Sequence, residues 1–216
     1  MVSISSRPPL INLLHSRLLF EKLPGEEAHQ KMAHPVRKAG TQPELDSSRP
    51  AAVLMILYEK TEGDFHMIFI RRNPHESDKH AGQVGFPGGK SEPSDPDLMY
   101  TALREAHEEV AIDLSRIEVI GKLTPLYITV SKFLVHPFLA YSSRKPVLMR
   151  QESEIEEILE LPLSSFMNQD AVQQTQIHLT QGIVLNHVPC FIINGHIIWG
   201  ATAMIMNELL EIIQPR

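Results

Sequence analysis

The sequence is short of several things that would point to other classes of protein. It holds a single cysteine, Cys190, so no internal disulfide can form and a reducing, cytoplasmic setting is expected. Set in an apolar stretch, that thiol reads as a small buried residue rather than a nucleophile. Basic excess is missing too. Twenty Lys and Arg face 26 Asp and Glu, a net charge of −6, which argues against a nucleic-acid-binding surface. Long apolar runs are absent: residues 51–58 and 197–206 are the longest candidates, well short of the roughly 18 needed to span a bilayer. The histidines show no helical pair at transition-metal spacing, which argues against zinc. There is no internal repeat and no low-complexity tract. The first twenty residues lack acids and carry Arg7, Arg17 and several serines, a faint transit-peptide composition; Pro8 and Pro9 interrupt it, and residues 10–20 read equally as a helix.

What is present fits one domain of ordinary size. At 216 residues with 43% hydrophobic content, the chain buries about 70% of its unfolded surface and needs no covalent staple. Residues 1–48 read as an extension, one amphipathic stretch followed by a polar segment, and residues 49–216 as the main domain. Residues 51–58 and 66–71 predict a hairpin around Lys60-Thr61-Glu62-Gly63-Asp64. A Gly-rich segment covers 82–89, and a Pro- and acid-rich loop covers 91–97 and ends in a helix cap. The periodicity predicts a helix over 97–110, strands over 117–126 and 133–141, and a short acidic helix over 154–160 closed by Leu161-Pro162. Strands around Ile177 and 190–193 and a helix over 200–213 complete the reading. Helices and strands without regular βαβ alternation imply an α/β or α+β domain with a mixed sheet.

The helix over 97–110 carries the chemistry. On a helical wheel Met99, Leu103, Ala106 and Val110 lie within about 60°, forming a core stripe. Glu105, Glu108 and Glu109 fall within about 100° on the neighbouring face. Like charges at these spacings repel and cost helix stability unless a cation sits among them. Three carboxylates are hard oxygen ligands of the kind Mg²⁺ or Mn²⁺ combines with waters and substrate phosphates. A solvated acidic face is the alternative, and the helix alone does not decide.

The upstream stretch decides. Gly85-x-x-x-Gly89-Lys90-Ser91 is one residue too short for a P-loop, and a Pro-rich loop follows where a helix should begin. Paired glycines serve here to let the backbone approach an ion or phosphate closely. Gly89, five residues, Asp95, eight residues, then Arg104-Glu105-Ala106-His107-Glu108-Glu109 resembles the Nudix box. Asp95 stands where that family usually has Glu, the second gap is one residue longer, and Ala111 replaces a common Gly. The resemblance implies an α/β/α sandwich with a mixed β-sheet and hydrolysis of a diphosphate joined to another moiety. His80-x-Gly82-Gln83-x-x-Phe86-Pro87-Gly88-Gly89 is similar to the extra motif of the coenzyme A pyrophosphatase branch, with echoes at residues 23–28 and 198–203; Asp78 stands where that branch usually carries Arg.

By that resemblance Glu105 and Glu109 are the firmest ligands of Mg²⁺ or Mn²⁺, Glu108 is a ligand or activates water, and the Gly89 carbonyl completes the shell. Arg104 orients the carboxylates. Glu152 and Glu154 are candidates for the general base. Arg71, Arg72, His80, Gly82 and Gln83 are candidate substrate contacts. The implied partner is a small-molecule nucleotide, with neither nucleic acid nor membrane, and a homodimer is compatible with it. Coenzyme A or its thioesters lead as substrate. An ADP-sugar or dinucleotide, or a non-catalytic ligand sensor on the same fold, are the other readings; a sensor predicts loss of a box carboxylate, and all three are present.

Overall fold

The computed structural model describes residues 7–35, 47–74, 82–179 and 182–214. Strands β1 (Arg49–Thr61) and β2 (Asp64–Arg72) form the expected hairpin. Its turn needs Gly63, whose φ is 77°, and the Gly63 amide is held by the Glu59 carboxylate at 2.7 Å. Strands β3 (Val84–Gly85), β4 (Gly88–Lys90), β5 (Ile117–Lys122), β6 (Leu126–Ile128), β7 (Phe133–Ser142) and β8 (Ile155–Pro162) join them. The sheet order is β3-β2-β1-β7-β5, with β4 also on β1, β6 on β7 and β8 on β2. β1 and β7 run parallel while the other pairs are antiparallel, so the sheet is mixed.

Both faces of the sheet are covered, which is why β1 is apolar at consecutive positions rather than at alternate ones. Ala52, Leu54, Ile56 and Tyr58 share a core with Ala102, Ala106 and Val110 of helix α3 (Leu98–Val110). Met55 and Leu57 point the other way, into a core shared with helices α1 (Pro9–Phe20) and α5 (Gly200–Ile213). Ile11 and Leu14 of α1 are fully buried there. Helix α2 (Glu26–Lys31) is tied to the same layer by Glu208 of α5. That buried carboxylate accepts from the Gly25 amide at 3.2 Å, His29 Nε2 at 2.9 Å and the Thr124 hydroxyl at 2.6 Å. A short helix α4 (Leu163–Met167) leads to a second, antiparallel sheet of β9 (Val172–His178), β10 (Val184–Ile193) and β11 (His196–Trp199). No helix among the described residues is long and apolar enough to cross a membrane.

Two expectations change. Residues 154–160 do not form a helix; they supply most of β8, paired antiparallel with β2. Ile155 and Ile158 pack on the α3 side while Leu159 and Leu161 pack on the other, a division that a strand between two layers satisfies and one helix stripe does not. The strand expected over 117–126 is split into β5 and β6, because the Leu123 amide turns to Pro137 and the Thr124 hydroxyl and amide turn to Glu208.

Candidate active site

Helix α3 starts where Asp97 accepts a hydrogen bond from the Tyr100 amide at 2.8 Å and ends at Ala111, which adopts a left-handed conformation with φ 53°. The face it buries is rotated from the expected stripe. Ala102, Ala106 and Val110 form it and Met99 is exposed. The rotation carries Glu109 inward, to 1% exposure. A buried carboxylate is costly unless satisfied, and both oxygens have donors: the Gly88 amide at 2.8 Å and Arg72 Nη1 at 2.9 Å. Burial nevertheless pushes its pKa up to about 7, with the Gly88 amide and Arg72 opposing the rise and the Glu105 charge adding to it.

The Gly-Gly pair explains itself against this helix. Strand β4 lies along β1, with Gly88 opposite Val53 and Gly89 opposite Ala52. A Cβ on Gly88 would strike the Ala52 carbonyl, and one on Gly89 would sit 2.5 Å from the Glu105 carboxylate. Only backbone can pass here. Burial also raises the Glu105 pKa, opposed by Arg104 and reinforced by Glu108 and Glu154.

Arg104 is the clamp. It forks onto Asp95 through Nε and Nη2, each at 3.0 Å, and Nη1 lies 3.0 Å from both Glu105 and Glu108. The guanidinium holds Asp95 well below the usual carboxylate range, helped by the Glu92 amide and the Thr101 hydroxyl. The clamp therefore fixes the approach loop to the acidic face. Asp95 was visible in the spacing, but its role as the anchor of Arg104 was not.

The remaining predicted residues divide. Arg72, at the end of β2, reaches Glu109, and its Nη2 lies 3.7 Å from Glu154. Arg71 points to the opposite face and pairs with Glu157 at 2.5 Å and Glu156 at 3.2 Å. Gly82 and Gln83 meet Arg72 through the backbone: the Gly82 amide donates to the Arg72 carbonyl at 3.1 Å and the Arg72 amide to the Gln83 carbonyl at 3.2 Å. His80 lies outside the described residues. The segment before β8 is stitched to α3, with the Gln151 amide 3.0 Å from the Glu109 carbonyl. Within it Glu152 is exposed, and its carbonyl accepts from Asn73 Nδ2 at 2.9 Å.

Among the described residues no three His, Cys, Asp or Glu side chains converge as closely as ligands around a bound ion; their oxygens are engaged by Arg72, Arg104 and Gly88 instead. The donor set still fits a hard divalent cation. It is all oxygen, it is partly buried, and the missing Cβ at Gly89 leaves the backbone open beside Glu105.

A partly buried carboxylate helix, closed by a Gly-Gly strand and an arginine clamp, marks the candidate site. The NUDIX domain model matches residues 48–182, and the chain belongs to the Nudix hydrolase family. It is 37% identical over 165 residues to the Uncharacterized Nudix hydrolase NudL of Yersinia enterocolitica, covering 76% of this chain and 82% of that one. The NudL protein of Yersinia pestis strain Pestoides F is 37% identical over 166 residues, covering 76% and 80%. Among solved structures, a MutT/nudix family protein from Enterococcus faecalis overlaps at a TM-score of 0.46 and 15% identity, covering 87% of this chain and 71% of that one. The chain is thus a hydrolase of nucleoside diphosphate derivatives, and Nudix hydrolases generally use divalent metal ions.

Proposed function

We propose that the chain hydrolyses the diphosphate of coenzyme A or its thioesters, releasing 3′,5′-ADP and 4′-phosphopantetheine or its acyl derivative, with Mg²⁺ or Mn²⁺. The observation that carries this reading is the run His80 to Gly89, which resembles the coenzyme A pyrophosphatase branch. Its described part reaches the carboxylate helix through the Gly88 amide on Glu109, while Gly82 and Gln83 pair with the main chain of Arg72 at the end of β2. Two other stretches with the same resemblance meet at α5. Thr202 donates to the Val84 carbonyl at 3.1 Å, and Gly25 donates to Glu208.

A diphosphate resists attack because its oxygens repel an incoming nucleophile. A divalent cation, when bound, neutralises that charge and acidifies a water. Glu105, Glu108, Glu109 and the Gly89 carbonyl would hold it. The chain's own work is positional: Asp95 fixes Arg104, and Arg104 fixes Glu105 and Glu108. Of the two base candidates, Glu154 is the better placed to take the proton of the attacking water. Both glutamates are exposed, but Glu154 lies 3.7 Å from Arg72 Nη2 and its charge is felt at Glu105. The buried free thiol of Cys190 is in keeping with a reducing, cytoplasmic setting.

The test is a comparison of kcat/KM across coenzyme A, ADP-ribose and a dinucleoside polyphosphate in Mg²⁺ and in Mn²⁺, with products identified by mass. Coenzyme A should lead by about tenfold or more. A lead for either other substrate would overturn the coenzyme A reading.

A further inference from the structure

Glu109, a ligand in the family reading, already has a cation on it. Its Oε1 accepts from Nη1 of Arg72 at 2.9 Å while Oε2 accepts from the Gly88 amide at 2.8 Å. Arg72 is the last residue of β2, and its main chain is pinned on both sides, amide to Gln83 and carbonyl to Gly82. Its second terminal nitrogen points towards Glu154 at 3.7 Å, so the guanidinium spans two carboxylates on the rim of the site. A guanidinium and a divalent ion cannot share one buried oxygen without strong mutual repulsion. The same planar fork that fits a carboxylate fits a phosphate.

The geometry points to Arg72 as an exchange group: it neutralises Glu109 until a divalent cation takes that oxygen, and the displaced guanidinium then binds the diphosphate of the substrate. This rests on the metal-dependent reading given above. Cation binding and substrate binding are thereby coupled, with the cation first. Arg72 then weakens cation affinity while it strengthens substrate affinity, an opposition that a residue holding only the fold would not produce.

The experiment titrates Mn²⁺ into wild type, Arg72→Gln and Arg72→Lys, following free Mn²⁺ by electron paramagnetic resonance, and then titrates ADP at saturating Mn²⁺. Arg72→Gln should bind Mn²⁺ about fivefold more tightly and ADP about tenfold more weakly than wild type. Arg72→Lys keeps the charge but not the fork, so it should match wild type for Mn²⁺ and lose ADP affinity; it carries the test if Arg72→Gln does not fold. Parallel weakening of both ligands, or unchanged ADP affinity, would overturn the exchange. Wild-type protein that takes up no Mn²⁺ would instead overturn the metal reading beneath it.

Discussion

Glu109 is where burial, charge and chemistry meet in one side chain. Its pKa is pushed up to about 7, above the unfolded value near 4.3. The folded, metal-free protein therefore holds a proton that the unfolded chain releases between those values. The stability this group contributes is fully present below about 4.3 and is lost as pH rises through about 7. Below about pH 7 a cation displaces that proton, and above it the Arg72 guanidinium on the ionised carboxylate, so Mn²⁺ affinity should climb with pH towards 7, and binding near pH 6 should release close to one proton. Calorimetry in buffers of different ionisation enthalpy measures this; pH-independent binding would contradict it. Asp95 has the opposite sign. Held low by Arg104, it contributes stability above the unfolded pKa of about 3.9 that is lost as pH falls below it. Asp95→Asn should lower the Tm at pH 7, flatten the acid limb of the Tm–pH curve and cut turnover by freeing Arg104; an unaltered acid limb would count against the clamp.

At this scale the sequence was legible wherever a site is written along one helix. Arg104, Glu105, Glu108 and Glu109 are spaced by the helix itself. The choice between Arg71 and Arg72 was not legible. β2 is apolar on both faces, Met67 and Phe69 on one and Ile68 and Ile70 on the other, so no alternation tells which arginine faces α3. Nor does sequence reveal that Glu109 turns inward, since its partners, Arg72 and Gly88, lie on other elements.

Among elements, β4 does the most with the fewest atoms. Its glycines let the strand pass between β1 and the carboxylates, so Gly89→Ala should push Glu105 aside. We expect Mn²⁺ affinity and turnover to drop about tenfold or more, with thermal stability of the metal-free protein changed by about 1 kcal/mol or less. A variant with wild-type Mn²⁺ affinity would show that Gly89 does not shape the site. Strand β8 is the element that local composition misrepresents. Its glutamates suggest a solvated helix, but β2 offers an unpaired edge and each layer accepts an apolar residue. Tertiary pairing outweighed local propensity, as it does most readily in short acidic segments whose apolar residues serve two faces.

For the whole molecule, the family match begins at residue 48, while the packed core begins earlier. Ile11, Leu14, Met32 and Ala33 are buried in the layer that contains α5, and Gly25 and His29 help satisfy the buried Glu208. Deleting residues 1–35 would uncover that layer and strip Glu208 of two partners. We expect a loss of about 3–5 kcal/mol or more, seen as a broadened, early denaturant transition; an unchanged transition would make these helices dispensable. Amphipathic spacing revealed α1, but only the fold reveals what it covers.

As proposed above, the α3 carboxylates form a metal-dependent hydrolytic centre. The direct measurement is the single-turnover rate of diphosphate cleavage by Glu109→Gln at saturating Mg²⁺ or Mn²⁺, beside a thermal melt of the same sample. A fall of about a thousandfold or more is expected, with folding retained. A folded variant cleaving within about threefold of wild type would contradict it.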